Sequence, residues 1–208
     1  MLPYIKPTEE KLYKFLINTK SIIEKMSNYV KNNSNMDPNN MKVVDLGCGE
    51  GIFSISLANY FDKVYGIDSS NEMLKESRKN KQKHDKKYNT KTDNLRFYYG
   101  INANFPIENI SLLYLRNSIF FLNIDNDNIQ KLFDKLNKNG LIWIYNGFNF
   151  NMNELNPNSE DFNEQKYNKQ INGITYKENL VLKYAEDNNM KILSKLINKK
   201  FHEIIIQK

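Results

Sequence analysis

Residues 43–51 read VVDLGCGEG, and this stretch decides the fold. A short apolar run, residues 43–46, leads into glycines at alternate positions, Gly47, Gly49 and Gly51. Such a run is typical of a buried strand, and the glycines let the backbone turn sharply and let a ligand lie against the main chain. A helix that starts after the turn offers free amides to the ligand's polar groups. The stretch therefore predicts a strand, a ligand-binding turn and a helix.

Two acidic residues distinguish this turn from a dinucleotide site. Asp45 precedes the turn, where a carboxylate can attract a cationic amino group or orient the glycine loop but would disfavour a nearby pyrophosphate. The spacing is Gly-x-Gly-x-Gly, whereas dinucleotide binders have Gly-x-Gly-x-x-Gly. The next apolar run, residues 64–67, ends in Asp68. An acid at that position can accept hydrogen bonds from both hydroxyls of a ribose.

Residues 43–51 resemble the first motif of the class I S-adenosylmethionine-dependent methyltransferases almost position for position. The resemblance implies a Rossmann-like fold, S-adenosylmethionine as cofactor and S-adenosylhomocysteine as product. It also implies that the three glycines frame the methionine and ribose portions of the cofactor. Asp45 would then sit near the methionine amino group, and Asp68 would hold the ribose hydroxyls.

Two further segments resemble motifs of the same family. Residues 99–103 look like the third-strand motif, in which Gly-Asp-Ala often reads the adenine; here Asn102 replaces the acid, and its amide oxygen can still accept from the exocyclic amine. Residues 111–122 resemble the fourth motif, with a strand that ends at the ligand crevice. The likeness covers residues 40–145 well and the remainder by the order of its elements. The predicted cofactor-binding residues are Asp45, Gly47, Cys48, Gly49, Gly51, Asp68, Ser69, Asn102, Ala103 and Leu115.

From Lys42 onward, seven apolar runs alternate with helical stretches. Most of the runs are almost continuously apolar, as expected for strands buried on both faces of a parallel sheet. The last two runs lie close together, which predicts an antiparallel pair at the sheet edge. We therefore predict one domain over residues 1–208, with a doubly wound, mostly parallel seven-stranded sheet, an antiparallel final hairpin and helices on both faces. The predicted strands are residues 43–46, 64–67, 96–99, 112–115, 141–145, 192–197 and 202–206.

Two segments lie outside this pattern. Residues 1–40 are predicted to form an N-terminal helical cap, with Thr8 as N-cap and apolar side chains at helical spacing up to Val30. Residues 146–174 are rich in Asn and have no convincing period, which predicts an irregular insertion, either a substrate lid or a poorly ordered loop. After the fourth strand, Asp127 leads into a helix over residues 129–136 that is predicted to end near Gly140. The helix after the insertion, residues 180–186, is predicted to follow a capping box formed by Thr175 and Glu178.

The methyl acceptor is predicted to lie at the carboxyl ends of the strands, where doubly wound sheets bind their ligands. Residues that leave the fourth and fifth strands should face it: Arg116, Asn117, Ser118, Tyr145 and Asn146. No Asp/Asn-Pro-Pro-Tyr sequence follows the fourth strand, which argues against the amino-methyltransferases of adenine, cytosine and glutamine that use it.

The sequence identifies no catalytic residue and no metal site. Cys48 lies inside the cofactor turn and is predicted to be a small buried residue. His84, in a Lys-rich helix, and His202, at the start of the last strand, are each predicted to be structural or solvated. Methyl transfer from a sulfonium needs alignment and exclusion of water more than a base. The absence of an obvious base therefore does not argue against this chemistry.

The chain carries a net charge of +6. Residues 75–91 are dense in Lys and Arg, but abundant Asn, Ile and Tyr indicate an AT-rich genome that would enrich lysine without selection for phosphate binding. We predict a methyltransferase that acts on oxygen or nitrogen of a small molecule. An RNA or nucleotide methyltransferase that uses residues 75–91, and a catalytically silent binding subunit, stay open. One cysteine excludes an internal disulfide, which favours a cytoplasmic setting. No stretch approaches the ~18–20 apolar residues needed to cross a membrane, so no membrane partner is expected. We expect a monomer or a homodimer.

Overall fold

A computed structural model describes residues 20–30, 32, 37, 40–147, 163–198 and 201–208. Seven strands form one sheet in the order β3-β2-β1-β4-β5-β7-β6. The first five strands run parallel, and β7 runs antiparallel to both β5 and β6. The strands are β1 (Lys42–Leu46), β2 (Lys63–Asp68), β3 (Leu95–Tyr99), β4 (Ile110–Arg116), β5 (Leu136–Gly147), β6 (Lys191–Ile197) and β7 (Phe201–Gln207). The predicted sheet and its antiparallel final hairpin are confirmed.

Helices cover both faces of the sheet. They are α1 (residues 20–30), α2 (Ile52–Leu57), α3 (Asn71–Tyr88), α4 (Asn126–Asp134) and α5 (Glu164–Asp187), with a 3-10 turn at Ile119–Phe121 after β4. Successive strand residues point to opposite faces, so Val43 packs in the core under α1, α2 and α3 while Val44 packs in the core under α4 and α5. This two-sided core explains why the parallel strands are apolar throughout.

Polar side chains fix three of the helix starts. Ser70 accepts a hydrogen bond from the amide of Met73 at the start of α3, and Asp125 accepts one from Asn128 at the start of α4. Asn163 does the same at the start of α5. Each cap satisfies an amide that has no partner within its helix, which typically contributes about 1 kcal/mol.

The N-terminal helical cap is confirmed over the part of the chain that the structure describes. α1 buries Ile23, Met26 and Val30 against the sheet, and the Tyr29 ring meets Trp143 of β5 at a centroid distance of 5.4 Å. Thr8 and the predicted helix start lie outside the described residues. None of the helices described is long and apolar enough to cross a membrane.

Two helix boundaries were predicted wrongly. α5 begins at Glu164, so residues 164–174 of the predicted irregular insertion are helical, and residues 146–147 belong to β5. Thr175 therefore lies inside a helix and caps nothing. Gly173 and the many Asn residues obscure the helical period, and Gly173 packs closely on Phe120, since a Cβ there would lie 3.0 Å from the ring. The lid itself stays a prediction, since residues 148–162 lie outside the described part of the chain.

The second wrong boundary concerns Gly140, which was predicted to end the helix after the fourth strand. That helix, α4, ends at Asp134, and Gly140 lies within β5. A Cβ at Gly140 would stand 2.7 Å from the carbonyl oxygen of Ile110 on β4. The glycine therefore allows two strands to approach closely and does not terminate a helix.

Candidate cofactor and acceptor site

The glycine turn lies at the carboxyl edge of the sheet, between β1 and α2. The amides of Gly47 and Cys48 both donate to the carbonyl of Ile67 on β2, at 2.8 and 3.0 Å. Gly47, Gly49 and Gly51 all have positive φ, at 81°, 53° and 75°. Only glycine adopts this backbone region without strain, so the local fold depends on these residues.

The three glycines have different surroundings. A Cβ at Gly47 would lie 2.4 Å from the Cβ of Ser118, and a Cβ at Gly51 would lie 2.6 Å from the ring of Phe97. A Cβ at Gly49 would meet nothing within 4 Å. Gly47 and Gly51 therefore serve close packing inside the protein, whereas Gly49 presents bare main chain to open space. That is the surface on which a ligand can lie.

Asp68, the last residue of β2, is held by two main-chain hydrogen bonds. The amide of Gly49 donates to Oδ2 and the amide of Ser70 donates to Oδ1, each at 2.8 Å. A carboxylate offers about four lone-pair positions, so both oxygens keep acceptor capacity for a ligand. Asp68 is half-buried beside Gly49, and Ser69 next to it is exposed. The carboxylate predicted to hold a ribose thus borders the open face of the turn.

Asp45 lies beneath the turn and is almost fully buried, with 2% of its surface exposed. Ser54 Oγ of α2 donates to Asp45 Oδ2 at 2.6 Å. Burial raises the pKa of Asp45 to about 6, although the Ser54 hydrogen bond and the nearby Arg116 charge both lower it. The observed contact joins the end of β1 to α2, on either side of the glycine turn. That Asp45 orients the turn stays a prediction. The predicted proximity to a methionine amino group stays a prediction.

Cys48 is buried within the turn. Burial, followed by the charges of Asp45 and Asp68, raises the pKa of its thiol well above the ordinary value. The thiol therefore stays protonated and is a poor nucleophile. Among the residues described, no group of three or more His, Cys, Asp or Glu side chains could hold a metal ion.

The predicted adenine segment is ordered by its own hydrogen bonds. Asn102 has a φ of 53°, and its Oδ1 accepts a hydrogen bond from the amide of Asn123 at 2.8 Å. An amide oxygen has a second lone pair, so this bond leaves room for an exocyclic amine. Ala103 and Leu115 pack in the core with 2% exposure each. Their side chains have a packing role, and their contacts with the cofactor stay predictions.

The residues predicted to face the acceptor meet at the carboxyl edge but differ in their contacts. Asn117 joins the ends of β4 and β5, because its amide donates to the carbonyl of Tyr145 at 2.8 Å and its Oδ1 accepts from the amide of Gly147 at 2.7 Å. The guanidinium carbon of Arg116 lies 5.0 Å from the centre of the Phe53 ring. Asn117 therefore ties the two strand ends together, whereas Arg116 stacks on a side chain of α2.

Ser118 and Tyr145 complete this set. Ser118 is buried against Gly47, and its Oγ has no hydrogen-bond partner among the described residues. A buried hydroxyl without a partner is costly unless a ligand or water satisfies it, so Ser118 belongs to the cofactor turn as much as to the acceptor side. The Tyr145 ring stacks on Phe201 at a centroid distance of 5.7 Å.

A buried polar cluster at the same edge was not foreseen. Asn146 Nδ2 donates to Glu178 Oε1 at 2.7 Å, and His202 Nδ1 lies 2.6 Å from Glu178 Oε2. All three side chains are buried, so the prediction that His202 is structural or solvated omitted its acidic partner. A signal did exist. Glu178 lies on the apolar stripe of α5 with Ile174, Val181, Leu182 and Ala185, and an acid on such a stripe needs a buried partner.

A glycine turn bordered by Asp68, at the carboxyl edge of a seven-stranded sheet with this strand order, is the arrangement of a class I S-adenosylmethionine-dependent methyltransferase. Residues 37–205 match the family model described as a methyltransferase domain. The match covers most of the chain, and the chain belongs to this family. S-adenosylmethionine is accordingly its cofactor.

Solved structures share the fold over nearly the whole chain. A candidate S-adenosylmethionine-dependent methyltransferase from Methanococcus maripaludis is 22% identical, with a TM-score of 0.62 over 100% of this chain and 97% of that chain. Magnesium protoporphyrin IX methyltransferase from Synechocystis, with bound S-adenosylhomocysteine, is 15% identical, with a TM-score of 0.59 over 100% and 90%. Geranyl diphosphate C-methyltransferase from Streptomyces coelicolor is 12% identical, with a TM-score of 0.59 over 98% and 85%. None of the curated proteins compared with the chain matches it.

Proposed function

We propose that this protein transfers the methyl group of S-adenosylmethionine to an oxygen or nitrogen atom of a small molecule. The observation that favours a small acceptor is the direction of α3. This helix carries most of the basic side chains of residues 75–91 away from the carboxyl edge of the sheet, where the cofactor turn lies. Two of the structural neighbours are named for small acceptors, magnesium protoporphyrin IX and geranyl diphosphate. Fold likeness alone does not define the acceptor, so the site has to supply the argument.

The residues of the turn fit the cofactor. Gly49 offers open main chain, Asp68 offers free acceptor positions for ribose hydroxyls, and Ser118 offers a buried hydroxyl that needs a partner. The bound cofactor supplies a methyl group on a positively charged sulfur, which is already an activated leaving group. The protein then has to orient the acceptor and keep water out of the crevice.

α3 begins at Asn71, beside Asp68, and crosses back to the start of β3. Because β2 and β3 are parallel, the helix runs antiparallel to them and leaves the carboxyl edge. An α-helix rises about 1.5 Å per residue, so Lys86 and Lys87 lie roughly 22 Å along the axis from the helix start. A polymer bound along these lysines would lie far from the methyl group.

A second candidate, an RNA or nucleotide methyltransferase, is favoured by one observation. A groove of about 430 Å³ between α3 and the edge strand β3 is lined by Arg78, Lys81 and Arg96. The three cationic side chains could contact phosphates, and the half-buried Tyr98, which also lines the groove, could contact a base. In that case RNA affinity would fall steeply with salt, and Lys81→Gln with Arg96→Gln would weaken it.

Calorimetry with S-adenosylhomocysteine tests the cofactor, and labelled S-adenosylmethionine tests the acceptor against fractions of small metabolites and of RNA. We expect cofactor binding and transfer of label to the small-molecule fraction. Label in RNA alone would support the second candidate and contradict our proposal. Cofactor binding without transfer to either fraction would favour a catalytically silent subunit.

A further inference from the structure

We propose that the groove between α3 and the outer edge of β3 is a second ligand site, which binds a nucleoside phosphate. The inference does not depend on the proposed methyl transfer, because the groove lies apart from the cofactor turn. Its volume of about 430 Å³ suits a small molecule. The side chains and main chain that line it come from Arg78, Lys81, Gln82, Asp85 and residues 95–98.

Three cationic side chains face the groove without a carboxylate to neutralise them. Arg78 and Lys81 come from α3, and Arg96 comes from β3. None of the three forms an ion pair within the part of the chain that the structure describes. Lys79, on the same helix, does pair with Glu76 at 2.7 Å. The groove therefore concentrates positive charge that a phosphate would neutralise.

Some of the donors in the groove are held in place before any ligand arrives. Arg78 Nη2 donates to the carbonyl of Phe97 at 3.2 Å, and Nη1 donates to the carbonyl of Leu74 at 3.4 Å. A guanidinium has five N–H groups, so this one keeps donors for a ligand and loses little freedom on binding. The amide of Val64 donates to the carbonyl of Asn94, so alternate residues of β3 bond to β2 and Phe97 turns its N–H and carbonyl outward. Both a fixed cation and a main-chain amide thus lie at the outer edge of the sheet.

Two further side chains favour a nucleoside phosphate over a nucleic-acid strand. Asp85 lies one helical turn beyond Lys81 and accepts a hydrogen bond from Thr92 Oγ1 at 2.9 Å. Its carboxylate keeps acceptor capacity for a sugar hydroxyl but would repel a second phosphate along a strand. The half-buried ring of Tyr98 offers a flat surface to a base. Cations, a hydroxyl acceptor and an aromatic ring in one groove match the three parts of a nucleotide.

The groove is separate from the cofactor turn. β3 is the edge strand and lies two strands from β1, which leads into the glycine turn. Neighbouring strands are about 4.8 Å apart, so the two strands are about 10 Å apart. Lys81 and Asp85 lie roughly 15 and 21 Å along the helix axis from the start of α3, away from the carboxyl edge. A ligand in the groove therefore leaves the cofactor turn open, and its binding can be measured with that turn occupied.

The first test is calorimetry of the wild-type protein with the four ribonucleoside diphosphates, in the presence of excess S-adenosylhomocysteine. We expect at least one of them to bind with a Kd below about 1 mM and its parent nucleoside to bind at least about tenfold more weakly. Binding of none of the four would overturn the proposal. So would an octamer of single-stranded RNA that binds more tightly than every diphosphate and loses affinity steeply with salt. Failure to bind S-adenosylhomocysteine would contradict the proposed function alone, since diphosphate binding should persist without it.

The second test locates the bound diphosphate with Lys81→Gln and Arg96→Gln, and Lys79→Gln is the matched control on the same helix. We expect each of the first two variants to bind the diphosphate about tenfold more weakly or worse, because each loses a charged contact with phosphate. Lys79→Gln should stay within about twofold of the wild-type affinity. All three should keep the wild-type Tm and affinity for S-adenosylhomocysteine. Wild-type diphosphate affinity in both groove variants would place the ligand elsewhere and refute the site.

Discussion

Gly49→Ala should affect ligand affinity much more than stability. The position has a left-handed backbone, and no protein atom lies near the place of an added Cβ. Its φ is 53°, and the added Cβ would meet no protein atom within 4 Å. The methyl group would instead project into the space assigned to the cofactor. We therefore expect a modest loss of stability together with a large loss of affinity for S-adenosylhomocysteine.

The magnitudes follow from these two features. A residue with a Cβ in the left-handed region costs roughly 1–2 kcal/mol. A chain of this length shifts its Tm by about 2–4 °C for each kcal/mol, so a decrease of about 2–8 °C is expected. If the methyl group displaces the ligand from two hydrogen bonds of about 0.5–1.5 kcal/mol each, affinity falls by about 5- to 150-fold.

Calorimetry and thermal unfolding measure the two effects separately. Asn189→Ala is the matched control, because Asn189 has a φ of 55° and follows α5 at the opposite edge of the sheet. It should lower Tm by a similar or smaller amount and leave affinity unchanged. Gly47→Ala should destabilise more than Gly49→Ala, since its Cβ would stand 2.4 Å from that of Ser118. Gly49→Ala with wild-type affinity would show that the cofactor does not lie on this turn.

Three other changes test single residues. Asp68→Ala removes the acceptor of the predicted ribose bonds and should weaken S-adenosylhomocysteine binding by about 1.5–3 kcal/mol in calorimetry; unchanged affinity would refute the ribose assignment. Asp45→Asn should flatten the pH dependence of unfolding. The folded pKa of Asp45, about 6, exceeds its ordinary value of 3.8, so wild-type stability should fall by about 3 kcal/mol as pH rises from about 4 to above 6. Denaturant unfolding that is equally pH-dependent in both proteins would contradict this. Asn102→Asp keeps an acceptor for the Asn123 amide and restores the family acid, so affinity should be equal or higher; a tenfold loss would contradict the adenine assignment.

The parts of the fold that could be read from sequence are those set by local pattern. The strands are buried on both faces, so their apolar runs stand out without knowledge of their partners. The glycine turn is recognisable because its backbone needs positive φ at three alternate positions. The acid predicted to hold the ribose, Asp68, is found at the end of the next strand. These features depend on residues close together in sequence, whereas the side chains at the ends of β4, β5 and β7 come from segments far apart in the chain.

The errors occurred where tertiary contacts override local preference. Gly140 looks like a helix end and Gly173 like part of an irregular segment, yet at each another chain segment comes close, the Ile110 carbonyl in one case and the Phe120 ring in the other. A glycine needed for close approach and a glycine needed to end a helix are the same letter in a sequence. For this reason the start of α5 at Glu164 was not predicted.

The misplaced start of α5 also concealed the buried cluster of Asn146, Glu178 and His202. With a helix from Glu164, Glu178 falls on the same stripe as Ile174 and Val181 and must be buried. If the helix began at residue 180, as predicted, Glu178 would precede it as an exposed capping acid. His202 lies on β7, and neither Glu178 nor Asn146 is near it in sequence. The register of β5 with β7 pairs Asn146 with His202, and the packing of α5 adds Glu178. A buried acid on a helical stripe should therefore prompt a search for a histidine or amide at the strand end it faces, because an unpaired buried carboxylate is too costly to persist.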